Sequence, residues 1–172
     1  MKTETGNLTY NSNKPEMYFI VGELIKKGIN KDDLYTKVCN TNSLNKLRLN
    51  GFAIHEKLTV FEPHHTAMIT LTKDELKRFH YQKGDSEGLV NVPLSIPGVV
   101  FSAFFREEDD FSKVSLRSKG DFPANKGAEE WFNGGGHLNA AGGEFYGTMD
   151  EIITRFVKLL PQYDAYLKTE TN

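Results

Sequence analysis

Residues 133–143 read Asn-Gly-Gly-Gly-His-Leu-Asn-Ala-Ala-Gly-Gly, and the rest of the chain is best interpreted around them. The consecutive glycines Gly134, Gly135 and Gly136 carry no side chains, so a ligand can approach the main chain closely. His137 follows at once, and the small residues after it could start a tightly packed helix. Exposed amides in such a turn bind anions, and a helix N-terminus behind them adds a favourable dipole. The stretch predicts a phosphate or carboxylate cradle with an imidazole at its rim. The alternative is a tight turn with packing glycines and a structural histidine.

A second candidate for anion binding lies upstream, where residues 113–120 read KVSLRSKG. Apolar and polar residues alternate through this run, which predicts a strand. Arg117 offers paired guanidinium donors, Ser118 adds a hydroxyl and Lys119 adds charge, so the three together predict a fork for phosphate. The alternative is an arginine on the exposed face of a strand.

Composition limits the classes of ligand and compartment. The chain has 172 residues with 21 basic and 23 acidic side chains, and its formal net charge is −2. This balance excludes a global electrostatic footprint for a long nucleic acid, so a local cluster must hold any anionic substrate. The single cysteine, Cys39, excludes an intrachain disulfide and fits a reducing compartment. We find no signal peptide and no membrane-spanning apolar run, and therefore expect a cytoplasmic protein with no membrane partner.

The spacing of apolar residues changes near residue 56. Before it, helical spacing predicts helices over residues 15–27, after Asn30, and after the N-cap Ser43. After it, a period of two predicts strands from Leu58 onward. Further predicted elements in this part are helices opened at 72–75, 84–91, 122–125 and 150, and strands over 66–71, 99–106, 111–118 and 143–146.

Two clusters of possible metal ligands are better explained by solvation. His64 and His65 are adjacent in a predicted turn, so their side chains diverge. Residues 107–110 are four carboxylates in a predicted hairpin loop, which is typical of a solvated acidic segment. We expect no metal at either place.

The run GGGHLNAAGG at 134–143 resembles the GGGHxxAAG signature of the domain that follows the catalytic domain in DHH-family phosphoesterases. Residues 113–120 match the family's S-x-R-S run, and 85–91 are similar to its D-x-E-G-L-V-N run. Residues 4–10 resemble its D-T-G-x-F-x-Y segment, with Glu4 in place of the aspartate. The family includes oligoribonuclease/phosphoadenosine-phosphate phosphatases, single-strand exonucleases and exopolyphosphatase-related proteins. The resemblance covers essentially the whole chain, but only the C-terminal half or so of a full family member.

The resemblance implies an α/β fold with two parts. Residues 1–56 would be the last helices of the catalytic domain and the connector, and 57–172 a substrate-binding domain with a small mixed sheet flanked by helices. In the family, an Asp-His-His motif and further aspartates hold two metal ions. No Asp-His-His occurs here, so we expect this chain to be inactive alone. Glu4 stands at a metal-ligating position and could bind Mn²⁺ or Mg²⁺ in the intact enzyme, unless it is simply solvated.

The function implied is that of the phosphate-binding part of a metal-dependent hydrolase. Its ligand would be a short single-stranded oligoribonucleotide, or a mononucleotide such as phosphoadenosine-phosphate. The expected ligand-binding residues are Arg117, Ser118, Lys119, Gly134, Gly135, Gly136 and His137.

Two alternatives remain open. The first is a stand-alone phosphate- or nucleic-acid-binding module without catalysis, which forms a homodimer through the apolar helices of residues 15–55. The second is an editing-associated domain like that of alanyl-tRNA synthetases, although the sequence has no zinc-binding cluster for it.

Overall fold

The computed structural model describes residues 13–167, and the chain divides into two compact units after Asn42. In the first unit, α1 spans Pro15–Lys26 and α2 spans Lys31–Cys39. Proline suits the first turn of α1 because its ring presets φ. The side chain of Asn30 accepts hydrogen bonds from two backbone amides in the first turn of α2, which satisfies donors that a helix start leaves unpaired. Both helices are therefore confirmed.

Helix α1 exposes its apolar side chains. None of its residues is buried, and Phe19 is 70% exposed. The other large apolar side chains of α1 with more than a third of their surface exposed are Tyr18, Ile20, Leu24 and Ile25.

The second unit is built on a six-stranded mixed sheet in the order β1-β2-β3-β4-β6-β5. The strands are β1 (Thr59–Phe61), β2 (Thr66–Leu71), β3 (Phe101–Glu107), β4 (Ser112–Ser118), β5 (Gly135–His137) and β6 (Ala140–Phe145). Only β2 and β3 pair in parallel, and the other neighbours are antiparallel. The predicted mixed sheet flanked by helices is confirmed.

Helices cover one face of this sheet and the β2–β3 part of the other. They are α3 (Leu44–Glu56), α4 (Lys73–Arg78), a 3-10 helix (Leu89–Ser95), α5 (Ala124–Trp131) and α6 (Met149–Leu167). Two of the predicted caps are present. Ser43 accepts a hydrogen bond from the Lys46 amide at the start of α3, and Thr72 and Glu75 form a capping box at α4.

Each face of the sheet has its own hydrophobic core. On the first face, the strands pack against α5 and α6 in a core rich in phenylalanine, with Phe101, Phe105, Phe122, Phe132 and Phe156 fully or almost fully buried. On the second face, residues of β2 and β3 pack against α3, α4 and the 3-10 helix, in a core formed by Leu49, Ala53, Ile69, Leu71, Leu76, Leu89, Val90 and Phe104.

Helix α3 belongs to the second compact unit, although the sequence groups it with the helices before residue 56. Leu49 and Ala53 of α3 are fully buried in the second core. The compact units divide after Asn42, and the domain boundary at residue 56 stays a prediction.

The prediction of a helix after the glycine run is wrong. Residues 135–145 instead form a hairpin of β5 and β6 with a turn at Leu138 and Asn139. A Cβ atom added to Gly134 would lie 2.0 Å from the Gly142 carbonyl oxygen, and one on Gly143 would lie 2.1 Å from the Phe132 carbonyl oxygen. Several of these glycines are therefore needed because backbone segments contact one another here. They lie in or beside the hairpin and not in a helix.

The start of the helix predicted within residues 84–91 also differs from the structure. The 3-10 helix begins after Gly88 without a side-chain cap. Asp85 accepts a hydrogen bond from the Gln82 amide at 2.8 Å, and the Ser86 hydroxyl accepts one from Arg106 at 2.8 Å.

Among residues 13–167, no helix is both long and apolar enough to cross a membrane.

Candidate functional site

The register of three neighbouring strands brings Arg117 and His137 to one site. Arg117 of β4 lies opposite Ala140 of β6, and Ala140 lies opposite His137 of β5. Residues directly opposite each other in antiparallel strands project from the same face, so Arg117, Ala140 and His137 form one row. Adjacent strands are about 4.8 Å apart, which separates the outer Cα atoms by about 10 Å. Only a methyl group stands between the guanidinium and the imidazole.

Hydrogen bonds to the sheet orient Arg117. Its Nη1 donates to the Leu116 carbonyl at 2.8 Å and to the Ala141 carbonyl at 3.3 Å. Because a guanidinium is planar and rigid, holding one nitrogen also sets the direction of the others. Arg117 is partly buried, whereas His137 is exposed. The site thus combines an oriented cation with an accessible imidazole.

Ser118 does not share this face. It follows Arg117 along the strand, so its side chain projects to the opposite side, and it is only 8% exposed. Its hydroxyl donates to the Phe122 carbonyl at 2.7 Å and accepts from Asn139 Nδ2 at 3.0 Å. These contacts indicate a structural role for Ser118, and its binding of phosphate stays a prediction that this geometry does not favour.

Lys119 is also directed elsewhere. Its Nζ donates to the Val99 carbonyl at 3.1 Å, while its amide donates to the Val100 carbonyl at 2.9 Å. The expected fork of three adjacent side chains is therefore not assembled, and Arg117 alone of the three lies in the row with His137.

The amides of the three glycines do not converge. Gly134 donates to the Ala128 carbonyl at 3.0 Å, which satisfies the end of α5. The hairpin turn has only two residues, so the flanking pair His137–Ala140 is hydrogen-bonded and the bonding alternates along β5. Gly135 therefore directs its amide to β6, and only the amide of Gly136 points outward from this edge strand. The expected cradle is reduced to this one amide.

Asn139 is a site-building residue that the sequence did not reveal. Its Nδ2 donates to Ser118 Oγ at 3.0 Å and to the Gly120 carbonyl at 2.9 Å. The backbone carbonyl of Asn139 accepts a hydrogen bond from the Ser118 amide at 3.1 Å. These bonds fix the hairpin turn against the end of β4, and thereby set His137 relative to Arg117. An asparagine beside small residues is a turn signal, so predicting a hairpin here would have identified Asn139 as a turn residue.

Small residues continue the site beyond this row. In the adjacent row on the same face, Ser115 of β4 lies opposite Gly142, which lies opposite Gly135. All three are partly exposed. The sheet here presents a shallow floor on which a flat or extended ligand can lie.

The clusters set aside as metal sites have other partners. His64 Nδ1 lies 2.7 Å from Asp164 Oδ1, and His65 Nδ1 lies 2.8 Å from the Gly98 carbonyl oxygen. In the acidic loop, Asp109 pairs with Lys73 at 2.7 Å, and this hydrogen bond lowers the pKa of Asp109. Between residues 13 and 167, no group of three His, Cys, Asp or Glu side chains is placed to hold a metal ion. Glu4 lies outside the described residues.

Comparison with known proteins relates this chain to phosphoesterases. A sequence model of the DHHA1 domain matches residues 66–163. The bifunctional oligoribonuclease and PAP phosphatase NrnA of Bacillus subtilis is 32% identical over 143 residues, covering 83% of this chain and 44% of that protein. Its namesake from Thermus thermophilus is 28% identical over 157 residues, covering 91% of this chain and 46% of that protein. The chain spans less than half the length of these curated relatives.

Solved structures agree on the fold. An exopolyphosphatase-related protein from Bacteroides fragilis superposes with a TM-score of 0.94 at 55% identity, covering 98% of this chain and 49% of that one. A pGpG-specific phosphodiesterase, PggH from Vibrio cholerae, superposes with a TM-score of 0.55 at 16% identity, covering 87% of this chain and 51% of that one. At this low identity, the second likeness shows the fold alone.

Proposed function

Because this chain belongs to the DHHA1 domain family, with residues 66–163 matching it, we propose that it binds the phosphate end of a short single-stranded oligoribonucleotide or a mononucleotide. Its relatives place it among nucleotide-related phosphoesterases of the DHH family. In the intact enzyme, the domain orients the substrate for hydrolysis. Cytoplasmic location stays a prediction.

The row of Arg117, Ala140 and His137 carries this proposal. A guanidinium offers paired donors that match phosphate oxygens. The Cα atom of His137 lies about 10 Å from that of Arg117 across two strand spacings, and the proposed role of its imidazole is to donate a hydrogen bond or to stack on a base. The small floor beside them suits a short ligand, and the near-neutral charge of the chain does not suit a long duplex.

The role that we propose for the residues between 13 and 167 is binding. They offer no set of ligands for Mn²⁺ or Mg²⁺, so we assign no metal-dependent step to them. The proposed work of Arg117 is to hold and orient a phosphate, which lowers the entropic barrier to reaction when the reacting groups are brought together. Metal dependence of the intact enzyme stays a prediction.

Calorimetric titration with phosphoadenosine-phosphate and with a 5′-phosphorylated diadenylate tests this function. We expect Arg117→Ala to weaken binding of both ligands about tenfold or more, because a charge-assisted hydrogen bond is lost, and His137→Ala to weaken it less. Arg48→Ala and His55→Ala, at exposed positions of α3, are the matched controls. In the intact enzyme, the first two substitutions should reduce activity on short oligoribonucleotides. Unchanged affinity in both would contradict the proposal.

A second candidate function, a binding and dimerisation module without catalysis, is favoured by one observation. The exposed apolar side chains of α1 include Phe19 at 70% exposure, and contiguous exposed apolar surface often marks an interaction site. If these side chains join two copies, light scattering should show a dimer that Phe19→Asp converts to monomer. A monomeric wild-type chain at high concentration would exclude this role.

A further inference from the structure

We propose that the sheet face holding Arg117 continues as a track for a single strand of several nucleotides, with a second phosphate contact at Lys113 and a stacking position at Tyr146. This inference rests on the proposed function and extends it, because it makes an oligonucleotide, rather than a mononucleotide, the ligand that fills the site.

Strand geometry places two cations along one line. Side chains alternate between the faces of a strand. In β4, Val114 and Leu116 are buried in the first core, so Lys113, Ser115 and Arg117 project from the other face. Lys113 and Arg117 are thus about 13 Å apart along the strand. A row of cations at this spacing can follow the backbone of a nucleic acid.

Nothing bulky separates the two cations. Between them stands the row of Ser115, Gly142 and Gly135, whose largest side chain is a hydroxymethyl group. A nucleotide strand can therefore lie against the sheet from Arg117 to Lys113 without displacing a large side chain.

Lys113 is available at the far end of this track. It is exposed, and within residues 13–167 no carboxylate forms an ion pair with it. Glu144 lies opposite Lys113 in the register, but its carboxylate accepts a hydrogen bond from the Tyr146 hydroxyl at 2.7 Å. This bond directs the acidic group toward the tyrosine.

Tyr146 comes two positions after Glu144, the register partner of Lys113, and so supplies an aromatic surface at this end of the track. Its side chain is 63% exposed, and its ring centroid lies 6.0 Å from that of Phe111, with the two planes at 42°. Phe111 comes just before β4, two positions from Lys113. Exposed aromatic rings next to a cation are the usual means by which proteins stack unpaired bases while holding their phosphates.

The spacing predicts a threshold in ligand length. A stacked strand advances about 3.4 Å per nucleotide, so a distance of about 13 Å corresponds to roughly four nucleotides, and to fewer if the strand is extended. A stacked dinucleotide held at Arg117 therefore does not reach the Lys113 end of the track, whereas a stacked tetranucleotide does.

The test is calorimetric titration of the full chain with 5′-phosphorylated oligoadenylates of two and four nucleotides, in EDTA to prevent hydrolysis. We expect the wild-type chain to bind the tetranucleotide about fivefold or more tightly than the dinucleotide, as expected for one added stacking contact. Lys113→Ala and Tyr146→Leu should each abolish most of this difference and leave dinucleotide affinity unchanged. Tyr146→Phe combined with Glu144→Gln keeps the ring, removes the carboxylate that the tyrosine hydroxyl holds and should retain the difference, and Lys77→Ala on α4 is the control.

The outcomes separate this inference from the proposed function. If Arg117→Ala weakens dinucleotide binding but the gain with length persists in Lys113→Ala and Tyr146→Leu, the track is overturned and the proposed function stands. Equal wild-type affinity for the two lengths also overturns the track. If neither Arg117→Ala nor His137→Ala weakens dinucleotide binding, the proposed function fails.

Discussion

The two faces of strands β4 and β6 differ in almost every respect, although the same residues alternate to form them. On one face, Val114, Leu116 and Ala141 are buried against α5 and α6. On the other, Ser115, Arg117 and Ala140 remain partly exposed. The covered face makes the strands rigid, and the open face uses that rigidity to hold a cation in a set direction. Substitutions on the first should therefore change stability, and those on the second should change binding.

Truncation of the covered face should have the largest effect. Phe105 is fully buried, and its ring centroid lies 5.7 Å from that of Phe132 and 5.3 Å from that of Phe156. We expect Phe105→Ala to lower the free energy of unfolding by about 3–5 kcal/mol, because a cavity remains. Urea denaturation followed by circular dichroism measures this. Ser115→Ala on the open face is the control and should change it by less than about 0.5 kcal/mol. Similar losses in the two variants would contradict the difference between the faces.

The glycine run should itself divide into structural and tolerant positions. A Cβ on Gly134 would meet the Gly142 carbonyl oxygen at 2.0 Å, whereas one on Gly135 would meet nothing closer than 3.8 Å. We expect Gly134→Ala to destabilise the chain by about 2–3 kcal/mol through forced backbone displacement. Gly135→Ala should have a much smaller effect in the same denaturation experiment. The reverse order would show that the hairpin packs differently.

A pH-dependent contact should have an intermediate effect. Burial acts to raise the pKa of Glu75, but hydrogen bonds from Lys57 and Thr72 outweigh it and lower that pKa. A lowered pKa in the folded state contributes stability above the pKa of the unfolded chain, near 4.3, and this contribution is lost as pH falls through the folded value. Glu75→Gln should thus lower stability at pH 7 by about 1 kcal/mol.

The same variant should flatten the acid side of the stability profile below about pH 4.5. Denaturant titrations at several pH values measure this slope. Asp74→Asn, at an exposed position of the same helix turn, is the control. A profile for Glu75→Gln that parallels the wild type would show that the carboxylate contributes nothing.

The smallest effect is expected at a polar atom of α6, in the core that lies against the covered face. The Tyr163 hydroxyl is buried, has no hydrogen-bond partner among residues 13–167, and burial raises its pKa. Tyr163→Phe removes a desolvated hydroxyl while it keeps the ring packed between Trp131 and Phe122. Thermal unfolding should show a change below about 1 kcal/mol, of either sign. A larger loss would reveal a partner for this hydroxyl.

Local signals explain why most of the secondary structure could be predicted. Asn30, Ser43 and the Thr72–Glu75 capping box act within one helical turn, so the sequence shows both partners. The strands of residues 99–118 were equally readable, because alternation and the polar loop between them are local patterns.

Contacts between distant parts of the chain explain most of the differences between the expected and the observed arrangement of the site. Glycine is required at positions 134 and 142 because another backbone segment lies too close for a side chain. The spacing of residues in the sequence does not show this contact. The Val99 carbonyl that accepts a hydrogen bond from Lys119 Nζ lies 20 positions away, just before β3. Ser118 is a different case, because successive side chains of a strand project from opposite faces, and a strand through residue 118 therefore separates Ser118 from Arg117. The sequence thus contained the signal that separates these two side chains.

The contact between His64 and Asp164 joins segments 100 positions apart. Closing so long a loop costs conformational entropy, so this contact can persist only when the intervening strands and helices are in place. The imidazole of His64 is therefore a natural probe of complete assembly. Its NMR signal should distinguish the finished unit from any partly formed state that already has native helix content.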